Sequence, residues 1–280
     1  MFLTIGSVQF GLKYGFSKKK ISSLQIKEIF KIISKNKIKH FDTSFNYGNS
    51  EKVIGSFKFE KKIITKISLP KKKVNNIEEW YNYSLNRSLK NLKVKKLYGL
   101  LIHNTSDIYN YKKKLLSLIK ESKKKNIVEK IGISVYEKKE VDRILKFWTP
   151  DIIQFPLNVF NQKFLSNNYL KMLKKLKVET YARSCFLQGI LLHKKLIRGN
   201  KKSKKIFKNF LHWTQKNKVT QLRACLHFVK QIEYIDSIVV GFDNSSHLHK
   251  IIKSFNKKTS KIPFKFMIKE KKLIDPRYWN

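Results

Sequence analysis

Eight short runs of β-branched and large apolar residues recur along the chain, at 2–5, 38–42, 63–66, 97–102, 129–134, 152–155, 178–182 and 237–240. Between them lie longer stretches, at 77–92, 108–125, 138–147, 163–175 and 247–255, in which apolar residues return every three or four positions. The first pattern is that of buried strands and the second that of helices with one apolar face. The chain therefore reads as repeated strand–helix units around a parallel sheet. Eight strands with intervening helices predict a single (β/α)8 barrel; an open doubly wound sheet is the alternative α/β fold.

Local punctuation agrees with this reading. Ser22 followed by Gln25 has the spacing of a helix capping box, and Ile26, Ile29, Phe30 and Ile33 then share one face that should pack on the barrel. No proline-rich linker or internal repeat divides the chain, so residues 1–280 are expected to form one domain. Length and a 41% apolar composition suffice for a full core.

Composition also removes several functional classes. No apolar run approaches the roughly 18 residues of a membrane span, and residues 1–10 lack the basic start and apolar stretch of a secretory leader. A cytoplasmic protein without a membrane partner is expected. Cys185 and Cys225 form neither a CxxC pair nor a disulfide framework, and read as reduced and structural. His247 and His249 are two apart and do not share a helix face, so no metal site is expected. The net charge of +43 suggests a polyanion binder, but it comes from 56 lysines against six arginines, with alanine only at Ala182 and Ala224. That skew affects core and surface alike and fits an AT-rich coding sequence. Specific phosphate readers favour the bidentate arginine fork that this chain largely lacks, so no specific nucleic-acid partner is expected.

In a barrel of this kind, chemistry gathers where the strands end at the C-terminal face. Asp42, Lys66 and His103 each close an apolar run, the second, third and fourth along the chain, and Tyr47 lies in the loop after Asp42. Taken singly, each has an ordinary explanation: a helix cap, one lysine among 56, a rim histidine, a loop aromatic. At adjacent strand ends they form a unit suited to proton transfer at a carbonyl. A phenol titrates near 10 and donates poorly at neutral pH; a neighbouring ammonium lowers that value. Lys66 is expected to do this for Tyr47, with Asp42 holding Lys66 charged and His103 donating to the substrate oxygen. None of these residues supplies a hydride, which calls for a nicotinamide cofactor.

Asp42-Thr43-Ser44 followed by Tyr47-Gly48-Asn49-Ser50-Glu51 closely resembles the DTAxxYGxSE signature of the aldo-keto reductases. The resemblance continues in order through Gly6-Ser7-Val8-Gln9-Phe10-Gly11, Lys66, Leu101-Ile102-His103, Ile131-Gly132-Ile133-Ser134, residues 153–158, and Arg183-Ser184 through Gln188-Gly189. The closing Asp275-Pro276-Arg277-Tyr278-Trp279 is similar to a DPRxW ending in a bacterial subgroup. The resemblance implies a TIM barrel and reduction of an aldehyde, ketone or sugar carbonyl, a small-molecule substrate, with Tyr47 as general acid. It also implies NADP(H) bound without a Rossmann domain, and no GxGxxG fingerprint follows an expected strand.

By the same resemblance Ser134 and Gln154 hold the nicotinamide carboxamide. Arg183 stands where many members stack a tyrosine on the ring, Ser184 beside it is a further cofactor-binding candidate, and Val135 replaces a common asparagine. Gly241, Asp243 and Ser245 fall in the segment, 241–247, that cradles the adenosine phosphate at a helix N-terminus, with Lys250 close by. Asp243 replaces the usual arginine there, and a carboxylate favours a ribose hydroxyl over a phosphate, which makes NAD(H) the alternative cofactor. The loops at 16–20 and 191–205 are expected to line a substrate pocket left open by a short C-terminal segment. Two further functional classes are a catalytically silent nucleotide-binding regulatory barrel and a polyanion-binding protein.

Overall fold

The computed structural model describes residues 1–70, 74–196 and 198–279. Eight parallel strands close on themselves in chain order: β1 (Phe2–Gly6), β2 (His40–Asp42), β3 (Lys62–Ile67), β4 (Leu97–Ile102), β5 (Val128–Ser134), β6 (Ile152–Pro156), β7 (Glu179–Arg183) and β8 (Ser237–Val240). β1 pairs with both β2 and β8, which leaves no free edge. The fold is thus the (β/α)8 TIM barrel expected from the alternating pattern.

Side chains alternate across each strand, and this divides the core in two. Ile64, Leu101, Ile152, Tyr181 and Val239 fill the barrel interior, while a larger apolar layer lies between strands and helices. The N-terminal mouth is plugged by polar groups that satisfy one another: Lys130 bonds to Glu179 and to the Tyr98 hydroxyl, and Tyr98 donates to Glu179 at 2.9 Å. Such a plug serves stability and leaves the opposite mouth for chemistry.

The outer helices follow their caps and stripes. Ser22 accepts from the Gln25 amide to start helix Ser23–Lys35, which buries Ile26, Ile29, Phe30 and Ile33 as expected. Asn76 accepts from the amides of Glu78 and Glu79 to start Ile77–Leu92, which ends at left-handed Lys93. Two expected helices are interrupted. The stretch at 163–175 is a 3-10 turn, Lys163–Leu165, then a helix, Tyr169–Lys175, because Asn167 and Asn168 take left-handed backbone angles that asparagine tolerates. The stretch at 108–125 divides at Tyr111 into Ser106–Asn110 and Lys112–Lys124. The loop expected at 191–205 gives way at Lys201 to a helix, Lys201–Lys216, begun by Asn200 accepting from the Ser203 amide; Ile197 in that loop lies outside the described residues. Among the described residues no helix is long and apolar enough to cross a membrane.

Candidate active site

The C-terminal strand ends surround a cleft of about 680 Å³. Asp42, Tyr47, His103, Gln154, Arg183, Ser184, Gly241 and Asp243 all line it, so strand order brings together residues spread over 200 positions of sequence. Lys66 lies beneath, 1% exposed, with Nζ 2.7 Å from both oxygens of Asp42 and 3.2 Å from the Thr43 carbonyl. Gln154 donates to the same carboxylate at 2.8 Å. An ammonium and a carboxylate this deep are stable only as a hydrogen-bonded pair. Burial pushes the Lys66 ammonium below its usual range, and Asp42 works against that shift.

The Tyr47 ring stands over this pair, its centroid 5.5 Å from Lys66 Nζ and 6.0 Å from the His103 ring. The expected lowering of its pKa is not what the geometry produces. Burial pushes the Tyr47 phenol well above its usual value and the Asp42 charge adds to the rise, with only Arg183 pulling it down. The reason is charge balance: Asp42 neutralises Lys66, so the phenol senses desolvation more than a free ammonium.

Burial, with the Lys66 and Arg183 charges, also lowers His103 to about 3, so this imidazole is neutral at pH 7. In the unfolded chain it titrates near 6.5 and binds protons that the folded protein refuses, so its contribution to stability is present above pH 6.5 and lost as pH falls toward 3. From pH 6.5 to pH 4 this one group should cost roughly 3 kcal/mol. Urea unfolding of wild type and His103→Gln at the two pH values checks it: the variant should lose less stability on acidification, and equal losses would refute the assignment.

Of the remaining positions, Ser134 is buried and lines neither hollow, and the others divide between two places. Ser134 ends β5 in register with Gln154 on β6, which sets the two side by side. Gln154 Oε1 is buried and has no hydrogen-bond partner, an unmet acceptor that suits an amide N–H₂ such as a carboxamide. Arg183 donates to the Val135 carbonyl at 3.1 Å and packs on the Tyr136 ring at 4.1 Å. Asp243 faces the main cleft, where Gln9 and Ser17 donate to it, the latter at 3.0 Å. Ser245 and Lys250 instead line a separate hollow of about 290 Å³ with Gln25, Asn244, Ser246 and His247, at the start of helix Ser245–Asn256. Among the described residues no cluster of three or more His, Cys, Asp or Glu could hold a metal.

Several participants escaped the strand-end rule because they lie beyond the strands, in loops and short helices. Ser7 donates to the Asp42 carbonyl at 2.9 Å, and Ser50 donates to Ser7 at 2.7 Å, tying the first two strand ends together. Gly11 makes that junction possible, since a Cβ there would sit 1.7 Å from the Tyr47 carbonyl oxygen. Tyr14 and Phe16 belong to a short strap over the cleft, fastened where Phe16 donates to the Gln188 carbonyl at 2.9 Å. The expected pocket loops do contribute, through Phe16, Ser17, Leu192 and His193.

The sequence profile described as the Aldo/keto reductase family matches residues 3–267. Among curated proteins none matches in sequence. The fold is similar to that of aldo-keto reductase AKR11C1 from Bacillus halodurans in its holo form, at TM-score 0.71 and 12% identity over 92% of this chain and 88% of that one. It is also similar to a protein of Pseudomonas aeruginosa provisionally described as an aldo-keto reductase, at TM-score 0.66 and 16% identity over 90% and 89%. With the profile spanning nearly the whole length, this chain belongs to the aldo/keto reductase family.

Proposed function

We propose that the protein is a cytoplasmic NADPH-dependent reductase of small-molecule carbonyls, with the whole chain acting as one catalytic unit. The observation that carries this reading is the convergence of Asp42, Tyr47, Lys66 and His103 at one end of the cleft, beside an unsatisfied buried amide acceptor on Gln154. A bound nicotinamide supplies the hydride. Gln154 Oε1 and Ser134 would hold its carboxamide, while Gln154 Nε2 stays committed to Asp42.

The chain's own work is proton delivery and charge placement. The Tyr47 phenol, held protonated by burial, donates its proton to the carbonyl oxygen as that oxygen becomes an alkoxide, a far stronger base than phenolate. Neutral His103 donates a hydrogen bond to the same oxygen and fixes its position. Lys66, 5.5 Å from the ring centroid, meets part of the negative charge left on Tyr47 even though it is paired with Asp42, which keeps it charged and aimed. The strap carrying Tyr14 and Phe16 covers part of the cleft and limits the access of bulk water to these donors.

The hollow at the start of helix Ser245–Asn256 favours NADPH over NADH. Its lining carries Lys250 and no described carboxylate, because Asp243 is engaged with Gln9 and Ser17 in the main cleft. A helix N-terminus with a nearby ammonium suits a phosphate. NADPH and NADH oxidation against a panel of aldehydes, ketones and sugar carbonyls tests the proposal, with the lower KM expected for NADPH. Absence of nucleotide binding would sink it; tight binding without turnover would favour the regulatory barrel.

A further inference from the structure

We propose that the substrate is an anionic carbonyl compound whose carboxylate or phosphate is held by Arg183; this rests on the reductase reading above. Arg183 ends β7 on the cleft wall and is partly exposed there. Its guanidinium is fixed rather than free: it packs 4.1 Å from the Tyr136 ring centroid and donates from Nη2 to the Val135 carbonyl at 3.1 Å. A contact from Nη1 to Ser184 Oγ, at 3.5 Å, is at the limit of a hydrogen bond. A guanidinium carries five N–H donors in a planar fork, so several remain unused.

Among the described residues no carboxylate lies within salt-bridge distance of Arg183. The nearby acids are already engaged. Asp42 is bound by Lys66 and Gln154, and Asp243 by Gln9 and Ser17. The contrast with Arg277 is instructive, because it packs on the same Tyr136 ring at 3.8 Å yet forms a bidentate pair with Asp275. Arg277 is neutralised and Arg183 is not.

The chemical end of the cleft is therefore an array of donors with one uncompensated positive charge. Tyr14, Tyr47, Tyr136 and His103 line it around Arg183, and the guanidinium field is felt at Tyr14, Tyr47, Lys66 and His103, where burial is the larger influence. A half-buried arginine without a partner is costly, and its planar fork matches carboxylate or phosphate bidentately. A neutral carbonyl leaves that charge unmet, whereas an anionic one pairs with it while His103 and Tyr47 address the carbonyl oxygen.

The test is kcat/KM for charged and neutral pairs at about 150 mM salt, where distant surface lysines are screened. 4-Oxobutanoate is compared with butanal, and glyceraldehyde 3-phosphate with glyceraldehyde. Wild type should favour at least one charged member by about 10- to 100-fold, the range of one charge-assisted hydrogen-bonded contact, and which pair shows it separates carboxylate from phosphate. Arg183→Gln should collapse that ratio mainly through KM, and Arg183→Lys should keep part of it. Because Arg183 also stands at the expected cofactor pocket, the ratio is read within each variant, so a general loss cancels.

Equal turnover of charged and neutral members by wild type would overturn the proposal. So would a ratio unchanged in Arg183→Gln, which would assign the residue to the cofactor or the fold. If wild type turns over none of the four while binding NADPH, the reductase reading is in question, and calorimetric titration with oxalate and with inorganic phosphate decides the anion site separately. Binding to wild type and not to Arg183→Gln supports it, and no binding overturns it.

Discussion

Replacing Tyr47 with phenylalanine should lower kcat by about 10²- to 10⁴-fold, the usual contribution of a positioned proton donor, with NADPH affinity changed by no more than about twofold. The substitution removes one oxygen and leaves the ring that packs over Lys66 and His103. Other donors share the cleft, among them Tyr14, Tyr136 and His103. His103 is a weak substitute, because its pKa of about 3 means it carries no excess proton at pH 7. Burial also raises Tyr14, which lacks the placement of Tyr47 over the Asp42–Lys66 pair. Stopped-flow reduction with NADPH, plus fluorescence titration of the nucleotide, separates chemistry from binding. Retained single-turnover rate in Tyr47→Phe would remove Tyr47 from the role of acid.

The pH profile offers an independent check on the same residue. A phenol whose pKa is raised above 10 stays protonated throughout the neutral range. The rate of reduction should therefore show no decline from loss of the Tyr47 proton below about pH 10. Had Lys66 acted as an unpaired ammonium, the phenol would ionise earlier and the decline would begin near neutrality.

These expectations differ because the sequence displays residue types and spacings but not the balance of charges between them. The strand ends at Asp42, Lys66 and His103 were legible, since short apolar runs end at a polar residue and strand order sets them side by side. That Asp42 would accept both Lys66 and Gln154, and so cancel the ammonium, depends on side chains 112 residues apart. Tyr136 and Ser7 lie just past strand ends, where the same rule, extended by one or two residues, would have found them. Tyr14 sits on a strap with no periodic signal at all. The helix Lys201–Lys216 was missed for another reason: it buries Ser203, Phe207, Phe210 and Thr214, so half of its inward face is polar and lysines surround the rest. The reading at 191–205 therefore found composition rather than pattern.

The second large effect concerns the Asp42–Lys66 pair itself, where stability and catalysis can be separated. Lys66→Met leaves a carboxylate 4% exposed with no cation, which should cost about 3–5 kcal/mol of unfolding free energy. Asp42→Asn strands a buried ammonium and should cost a similar amount. The double variant Asp42→Asn/Lys66→Met removes both charges together. Its amide oxygen can still accept from Gln154, as the carboxylate does at 2.8 Å, and the methionine fills much of the lysine stem's volume. Replacing a whole buried pair is often close to neutral, so urea unfolding of the double variant should return to within about 2 kcal/mol of wild type. Turnover should not return with it. With the ammonium gone, only Arg183 is left to balance the charge that Tyr47 acquires on giving up its proton, and kcat should stay at least about 100-fold below wild type. Recovery of both stability and turnover would show the pair to be only a buried structural contact, and would leave proton donation at this cleft without the charge that the proposed mechanism assigns to Lys66.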